Sequence, residues 1–283
     1  MTANQLICAE ELSKIRQSDN IRIVDCRFDL ADPAAGRRSY DDAHIPGAVF
    51  LDLNNDLASA QTGTSGRHPL PDPALFEKTV SRLGIGNDTR VVVYDANSGA
   101  MAARAWWIFR WLGHDDVRLL DGGLESWSQS FELSSLQLPV RPRKFKARER
   151  PEMVITSAEI VGTDEVAALN LVDARDAARF RGEHEPIDPI AGHIPGARNL
   201  PFVASLTAAG CWKSAEDLAA LWAECLGHNK ATDWVAMCGS GVTACHLAIS
   251  ALQAGYQEPR LYVGSWSEWI ADSSRPIATG EGN

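Results

Sequence analysis

Residues 234–252 read WVAMCGSGVTACHLAISAL. The first four, Trp234-Val235-Ala236-Met237, form a short apolar run that reads as a buried strand. From Ala244 onward the segment is apolar and alanine-rich, and it reads as a buried helix over 244–254. Between them lies Cys238-Gly239-Ser240-Gly241-Val242-Thr243. A strand that feeds a helix through such a turn aims successive backbone N–H groups inward, as an anion-binding nest at a helix N-terminus. The amides and the helix dipole favour thiolate over thiol for a cysteine at the mouth of that nest, and thiolate is the reactive form. Most intracellular cysteines are small buried hydrophobes. The two glycines, the serine and the threonine after Cys238 set it apart as a candidate nucleophile. Two other phosphate-loop readings fail on spacing. A Walker loop ends in Gly-Lys-Ser/Thr, and here the end is Gly241-Val242-Thr243. A cysteine-dependent phosphatase needs an arginine six residues after its cysteine, and that position is Ala244.

Working outward, the chain of 283 residues is long enough for two domains. With 45% hydrophobic and 23% charged residues it has the composition of a soluble globular protein. A net charge of -10 argues against a nucleic-acid partner. No apolar run approaches the length of a membrane span, and residues 1–11 show no secretory signal pattern. The six cysteines Cys8, Cys26, Cys211, Cys225, Cys238 and Cys245 have no metal-site spacing. The expectation is a reduced, cytoplasmic protein without metal.

The sequence repeats itself. Ile23-Val24-Asp25-Cys26-Arg27 is echoed by Leu171-Val172-Asp173-Ala174-Arg175, and His44-Ile45-Pro46-Gly47-Ala48 by His193-Ile194-Pro195-Gly196-Ala197. Leu119-Leu120-Asp121-Gly122-Gly123 with Trp127 is echoed by Leu261-Tyr262-Val263-Gly264-Ser265 with Trp269. Two copies of one domain are therefore expected, over 1–138 and 153–283. The stretch 139–152, proline-bearing and basic, reads as a solvated linker strapped over acidic surface. Strands are expected at Ile21–Asp25, Arg90–Tyr94, Val117–Leu120, 168–173, 234–237 and 260–263, and helices at 103–112, 215–225 and 244–254. Apolar strands alternating with helices predict an α/β fold, each copy a mainly parallel sheet with helices on both faces. Sites in such sheets form at the carboxyl ends of strands. Aligning Val91-Val92-Val93-Tyr94 with Trp234-Val235-Ala236-Met237 sets Asp95 opposite Cys238, so the first copy has the scaffold without the nucleophile and is expected to act as a cleft wall. Motifs shared with that inert copy, His44 and His193 among them, read as structural. Cys245, His246, Trp266 and Trp269 read as packing or surface positions.

Two copies with these Asp-x-Arg and His-Ile-Pro-Gly-Ala motifs, the Trp106-Trp107 pair and the ending Gly264-Ser265-Trp266-Ser267-Glu268-Trp269 resemble the tandem-domain rhodanese-like sulfurtransferases over nearly the whole chain. Cys-Gly-Ser-Gly-Val-Thr looks like the loop of the 3-mercaptopyruvate sulfurtransferases. Members that prefer thiosulfate more often carry basic residues directly after the cysteine, where they suit a dianion. The resemblance implies that Cys238 forms a persulfide, that Ser240 assists proton movement, and that Arg179 binds the donor's carboxylate. It places His68 facing the cleft from the first copy. Two positions depart from the pattern. The second carboxylate-binding arginine of relatives falls at Ile187, and the acidic companion of the histidine falls at Asn54, two residues after Asp52.

The expected reaction is a two-step transfer with no metal or organic cofactor. Cys238 takes sulfur from 3-mercaptopyruvate and pyruvate leaves. The loop amides of Gly239, Gly241, Val242 and Thr243 stabilise the persulfide. Cyanide, or a thiol such as a thioredoxin cysteine, then removes the outer sulfur. Three rivals stand beside it: thiosulfate as donor with the same chemistry, a non-catalytic sulfane-sulfur carrier serving a partner protein, and a phosphatase, which Ala244 disfavours.

Overall fold

The computed structural model describes residues 4–163 and 166–282. The extreme ends of the two expected copies, 1–3 and 283, lie outside the described residues. Among the described residues ten short strands form two sheets. The first holds β1 (Leu6–Ile7), β2 (Ile21–Asp25), β3 (Val49–Phe50), β4 (Arg90–Tyr94) and β5 (Val117–Leu120) in the order β1-β5-β4-β2-β3. The second holds β6 (Val154–Ile155), β7 (Leu171–Asp173), β8 (Arg198–Asn199), β9 (Val235–Met237) and β10 (Arg260–Tyr262) in the order β6-β10-β9-β7-β8. Every pairing is parallel. The two orders agree rank for rank, so the repeat in the sequence is a repeat in topology.

Side chains alternate along each strand, and both faces are covered. Val24, Val91, Val93 and Leu119 of the first sheet share one apolar core with Val172, Ala236 and Leu261 of the second. The residues between them point the other way. Ile23, Val92 and Tyr94 pack with Leu12, Tyr40 and Trp127, and Leu171, Val235 and Met237 pack with Ile160, Phe180, Trp266 and Trp269. The shared core runs through two helices, Ala102–Trp111 and Thr243–Gln253, which pack against each other between the sheets. Ala102–Trp111 is apolar on nearly all sides, the mark of a helix with no solvent face. Its residues Trp106, Trp107, Ile108 and Phe109 are fully buried. Each of these helices follows the loop at the carboxyl end of its sheet's central strand, so packing them together brings both loops to the junction of the halves.

Two expectations need correction. The strand expected over 168–173 is only Leu171–Asp173, because Val166–Leu169 forms a 3-10 turn and Asn170 adopts a φ of 48°, which breaks the extended run. The basic stretch 139–152 is more than a solvated linker. Lys146 meets Glu77 and Arg150 meets Asp115, as a strap over acidic surface would, and such exposed pairs contribute little. Its anchor is Phe145, buried edge-on against Phe76 and Phe109. Among the described residues no helix is long and apolar enough to cross a membrane.

Candidate active site

Cys238 ends β9 and is buried. The segment after β10 fastens its loop from behind. Cys238 N–H donates to Ser265 Oγ at 3.1 Å, Trp266 N–H to the Cys238 carbonyl at 3.0 Å, and Ser267 N–H to the Gly239 carbonyl at 2.9 Å. Gly241 turns the chain into the helix with φ +73°, and a Cβ there would meet the Val263 carbonyl at 2.5 Å, so only glycine fits. The amides of Gly239, Ser240, Gly241 and Val242 have no hydrogen-bond acceptor among the described residues, as a nest built for an external anion requires.

The first copy shows what such a nest takes. At the equivalent strand end Asp95 is buried, and its carboxylate accepts from the amides of Gly99 at 2.9 Å, Met101 at 2.8 Å and Ala102 at 3.1 Å. Burial pushes the Asp95 carboxyl above its ordinary value, and the amides oppose that rise. The first copy thus carries a carboxylate on its own amides, while the second copy puts a cysteine there and leaves the loop amides unpaired among the described residues.

The first half supplies the facing wall. His68 Nδ1 lies 2.8 Å from Ser240 Oγ, joining the halves at the loop. Burial, with help from the charges of Arg104 and Arg67, lowers the His68 pKa to about 4. The ring is therefore neutral at physiological pH and shares a hydrogen bond with the serine hydroxyl. Behind it, Arg104 is fully buried and donates to the carbonyls of Gly241 at 3.0 Å, His68 at 2.9 Å and Pro69 at 3.3 Å. One guanidinium thus staples the histidine segment to the cysteine loop. Arg67 pairs with Asp188, and Arg179 pairs with Asp188 at 3.1 Å and Glu185 at 2.9 Å.

A cavity of about 70 Å³ is lined by Cys238, Gly239, Ser240, Val242, Thr243, Arg179, His68, Arg67 and Ile187. With a water's share of liquid volume near 30 Å³, this suits a small organic anion rather than a macromolecule. Of the residues expected at the site, Gly241 alone is not in the lining, since it forms the turn beneath. A larger hollow of about 390 Å³ lies elsewhere, between Phe180, Arg198, Leu221 and Cys225. Burial raises the Cys225 thiol to about 11, so it holds no ready nucleophile.

Other singled-out residues stand apart. Asp52 does not serve His68, because its carboxylate caps the amides of Asn54 and Asn55 in its own turn. His44 Nδ1 contacts the Tyr40 carbonyl at 2.7 Å and His193 Nδ1 the Phe180 carbonyl at 2.9 Å, the same tie in both copies. Trp266 and Trp269 are buried. Cys245 is buried, and burial drives its thiol to about 12. His246 is buried too, stacked 4.0 Å from Trp212. Arg67, Arg104 and Asp188 escaped the sequence reading. Arg67 was signalled only by its place beside His68, and Arg104 by being a charge in the alanine-rich first turn of a largely apolar helix.

The profile of the rhodanese-like domain matches residues 9–130 and again 158–272. The chain belongs to the rhodanese-like family. It is 44% identical to a probable 3-mercaptopyruvate sulfurtransferase of Pseudomonas aeruginosa, over 99% of this chain and 100% of that protein. It is 40% identical to the human 3-mercaptopyruvate sulfurtransferase, over 92% of this chain and 89% of that one. The crystal structure of the 3-mercaptopyruvate sulfotransferase SseA from Escherichia coli superposes with a TM-score of 0.81 at 30% identity, covering 94% of this chain and 100% of that one. Both copies thus match the same family.

The buried histidines predict a pH dependence. Burial lowers His246 to about 3 and His68 to about 4, against an ordinary 6.5. Below pH 6.5 the unfolded chain binds protons that the folded chain refuses, so stability falls as pH drops from 6.5 toward 4. Each histidine contributes a slope of up to about 1.4 kcal/mol per pH unit. The midpoint of urea unfolding is expected to fall between pH 7 and pH 5, less steeply in His246→Phe than in the native chain. Equal slopes for the two proteins would contradict the assignment of His246.

Proposed function

We propose that this chain is a sulfurtransferase that takes sulfane sulfur from 3-mercaptopyruvate onto Cys238 and passes it to cyanide or to a thiol acceptor such as a thioredoxin cysteine. The observation that carries the reading is one small cavity in which Cys238, a nest of unpaired amides, the Ser240–His68 pair and Arg179 meet. The Cys238 thiolate attacks the donor sulfur. The sulfur–carbon bond breaks, its electron pair passes to carbon, and pyruvate leaves as the enolate, which takes a proton. Ser240, backed by neutral His68, is placed to deliver it. The amides from Gly239 to Thr243 favour the persulfide anion. Arg179 orients the carboxylate, which turns sulfur transfer into a near-unimolecular step. The acceptor then attacks the outer sulfur and restores Cys238, giving ping-pong kinetics.

The division into residues 1–138, a linker 139–152 and a catalytic part 153–283 is supported by the two sheets falling on either side of the strap. A cytoplasmic setting accords with six unpaired cysteines. The test of donor class is kcat/KM for 3-mercaptopyruvate and for thiosulfate with cyanide as acceptor. The loop has no basic side chain after Cys238, so 3-mercaptopyruvate is expected to be the better donor, and a large thiosulfate preference would overturn the assignment. Arg179→Ala is expected to cost about 1.5–3 kcal/mol of donor binding, as loss of a charge-assisted contact does. That appears as a rise in KM of roughly ten- to a hundredfold, and an unchanged KM would remove Arg179 from the donor site.

A further inference from the structure

The two guanidiniums at the cavity already hold a carboxylate. Asp188 gives one oxygen to Arg67, from the first half of the chain, and the other to Arg179, from the second. Both guanidiniums stand over the residue that follows the nucleophile. A Cβ on Gly239 would lie 2.9 Å from Arg67 Nη2 and 3.4 Å from Arg179 Nη2. We propose that Arg67 and Arg179 form a two-arginine clamp for the carboxylate of a 2-oxo acid sulfur donor, and that Asp188 is an internal stand-in which the donor's carboxylate displaces. This rests on the reading of Cys238 as the sulfur-accepting residue and identifies the second binding group of that site.

Three features argue for displacement rather than a permanent clasp. First, charge balance. Arg67, Arg175 and Arg179 are matched by Asp173, Glu185 and Asp188 in one connected network. A donor anion entering beside six balanced charges gains no net attraction. Once Asp188 disengages, the pair facing the cavity presents uncompensated positive charge to the donor. Second, local support. Glu185 accepts from the amides of Ile187 and Asp188 at 3.0 and 3.1 Å and holds Arg179 from its Nε side. The loop and Arg179 therefore keep their places without the Asp188 side chain, whose hydrogen bonds among the described residues run to the two arginines. Third, position. Asp188 is buried behind the two arginines, which themselves line the cavity, and its neighbour Ile187, 45% exposed, lines it too. Burial also raises the Asp188 carboxyl above its ordinary value, which lowers the cost of its leaving the arginines. The clamp further explains how the site does without an arginine at Ile187. The second guanidinium comes across the cleft, and Arg67 N–H fixes its own backbone to Ser267 Oγ at 3.1 Å.

The test is pyruvate binding, measured by titration calorimetry on the native chain, on Asp188→Asn and on Arg67→Met, with donor kinetics in parallel. Removing the competing charge in Asp188→Asn is expected to tighten pyruvate binding and to lower KM for 3-mercaptopyruvate by roughly five- to tenfold, with kcat changed less than twofold. Arg67→Met is expected to weaken both at least about tenfold, and Arg67→Lys to recover part of the loss. Asp188→Ser serves where Asp188→Asn does not fold. A purely structural aspartate would give the opposite sign, because freed arginines would lose their aim. Weaker or unchanged pyruvate binding in the Asp188 variants, or an indifferent Arg67→Met, overturns the proposal. Should the native chain turn over no sulfur donor at all, the sulfurtransferase reading falls while the pyruvate titration still decides the clamp.

Discussion

Cys238→Ser is expected to remove sulfur transfer by on the order of 10⁴-fold or more, the scale on which loss of a nucleophile acts. A serine oxygen cannot carry sulfane sulfur, and as a nucleophile it needs a base to take its proton. The nearby His68, its pKa lowered to about 4, is a poor base and is already paired with Ser240. Neither Cys245 nor Cys225 can substitute. Cys245 is buried with its thiol raised to about 12, and Cys225 has its thiol raised to about 11, so both stay protonated and unreactive. The substitution is nearly isosteric in a loop fastened by backbone hydrogen bonds, so thermal unfolding should stay within a few degrees of the native chain. Persulfide formation and thiocyanate production, measured with cyanide as acceptor, are the readouts. Residual transfer at more than a few per cent would mean that the sulfur travels through another residue.

Asp173→Asn carries the largest expected effect on stability. Arg175 is almost wholly buried and receives its main compensation from Asp173, with Nε at 3.1 and 2.9 Å and Nη2 at 2.6 Å from the two oxygens. Burial works against the guanidinium charge, but the carboxylates of Asp173 and Glu185 outweigh it and hold its pKa above the ordinary value. The same guanidinium donates to the Gly192 carbonyl at 2.7 Å and lies 4.6 Å over the Trp266 ring. Among the described residues, neutralising Asp173 leaves this buried cation with Glu185, 3.5 Å away, as its remaining salt-bridge partner. Breaking one side of a buried pair costs about 3–5 kcal/mol. The first copy has the matching pair, Asp25 with Arg27, but there Tyr94 donates a further hydrogen bond at 2.6 Å and Arg27 is more exposed. Asp173→Asn should therefore cost more than Asp25→Asn. Urea unfolding of the two variants measures it, and a loss below about 1 kcal/mol for Asp173→Asn would show that Arg175 is compensated elsewhere.

Much of this was legible because it is periodic or local. The strand–turn–helix around Cys238 is spelled out by apolar run, glycines and alanines, and the same spelling recurs around Asp95. The repeat implies two similarly built sheets. Short-range rules also failed locally, at Asn170, where one residue at positive φ ended a strand that the apolar pattern continued, and at Phe145, whose single ring anchors a segment that its charges marked as solvated. The site was half legible. Cys238, Ser240, Arg179 and His68 follow from motif and resemblance, and they line one cavity. Arg67, Asp188 and Arg104 act across the cleft, and no spacing in a linear sequence announces which charge of one half will face which charge of the other. The position of Ile187 shows this best. Read along the chain it is a missing arginine, whereas in space a guanidinium from residue 67 stands over the same loop.

The measurement that bears most directly on the central claim is the intact mass of the protein after brief exposure to 3-mercaptopyruvate, with peptide mapping and a parallel assay of pyruvate. The expected result is a gain of one sulfur per chain, located on Cys238, with one pyruvate released for each. A chain that releases no pyruvate and gains no sulfur, or that gains it on another cysteine, would contradict the assignment of Cys238 as the residue that takes sulfur from this donor.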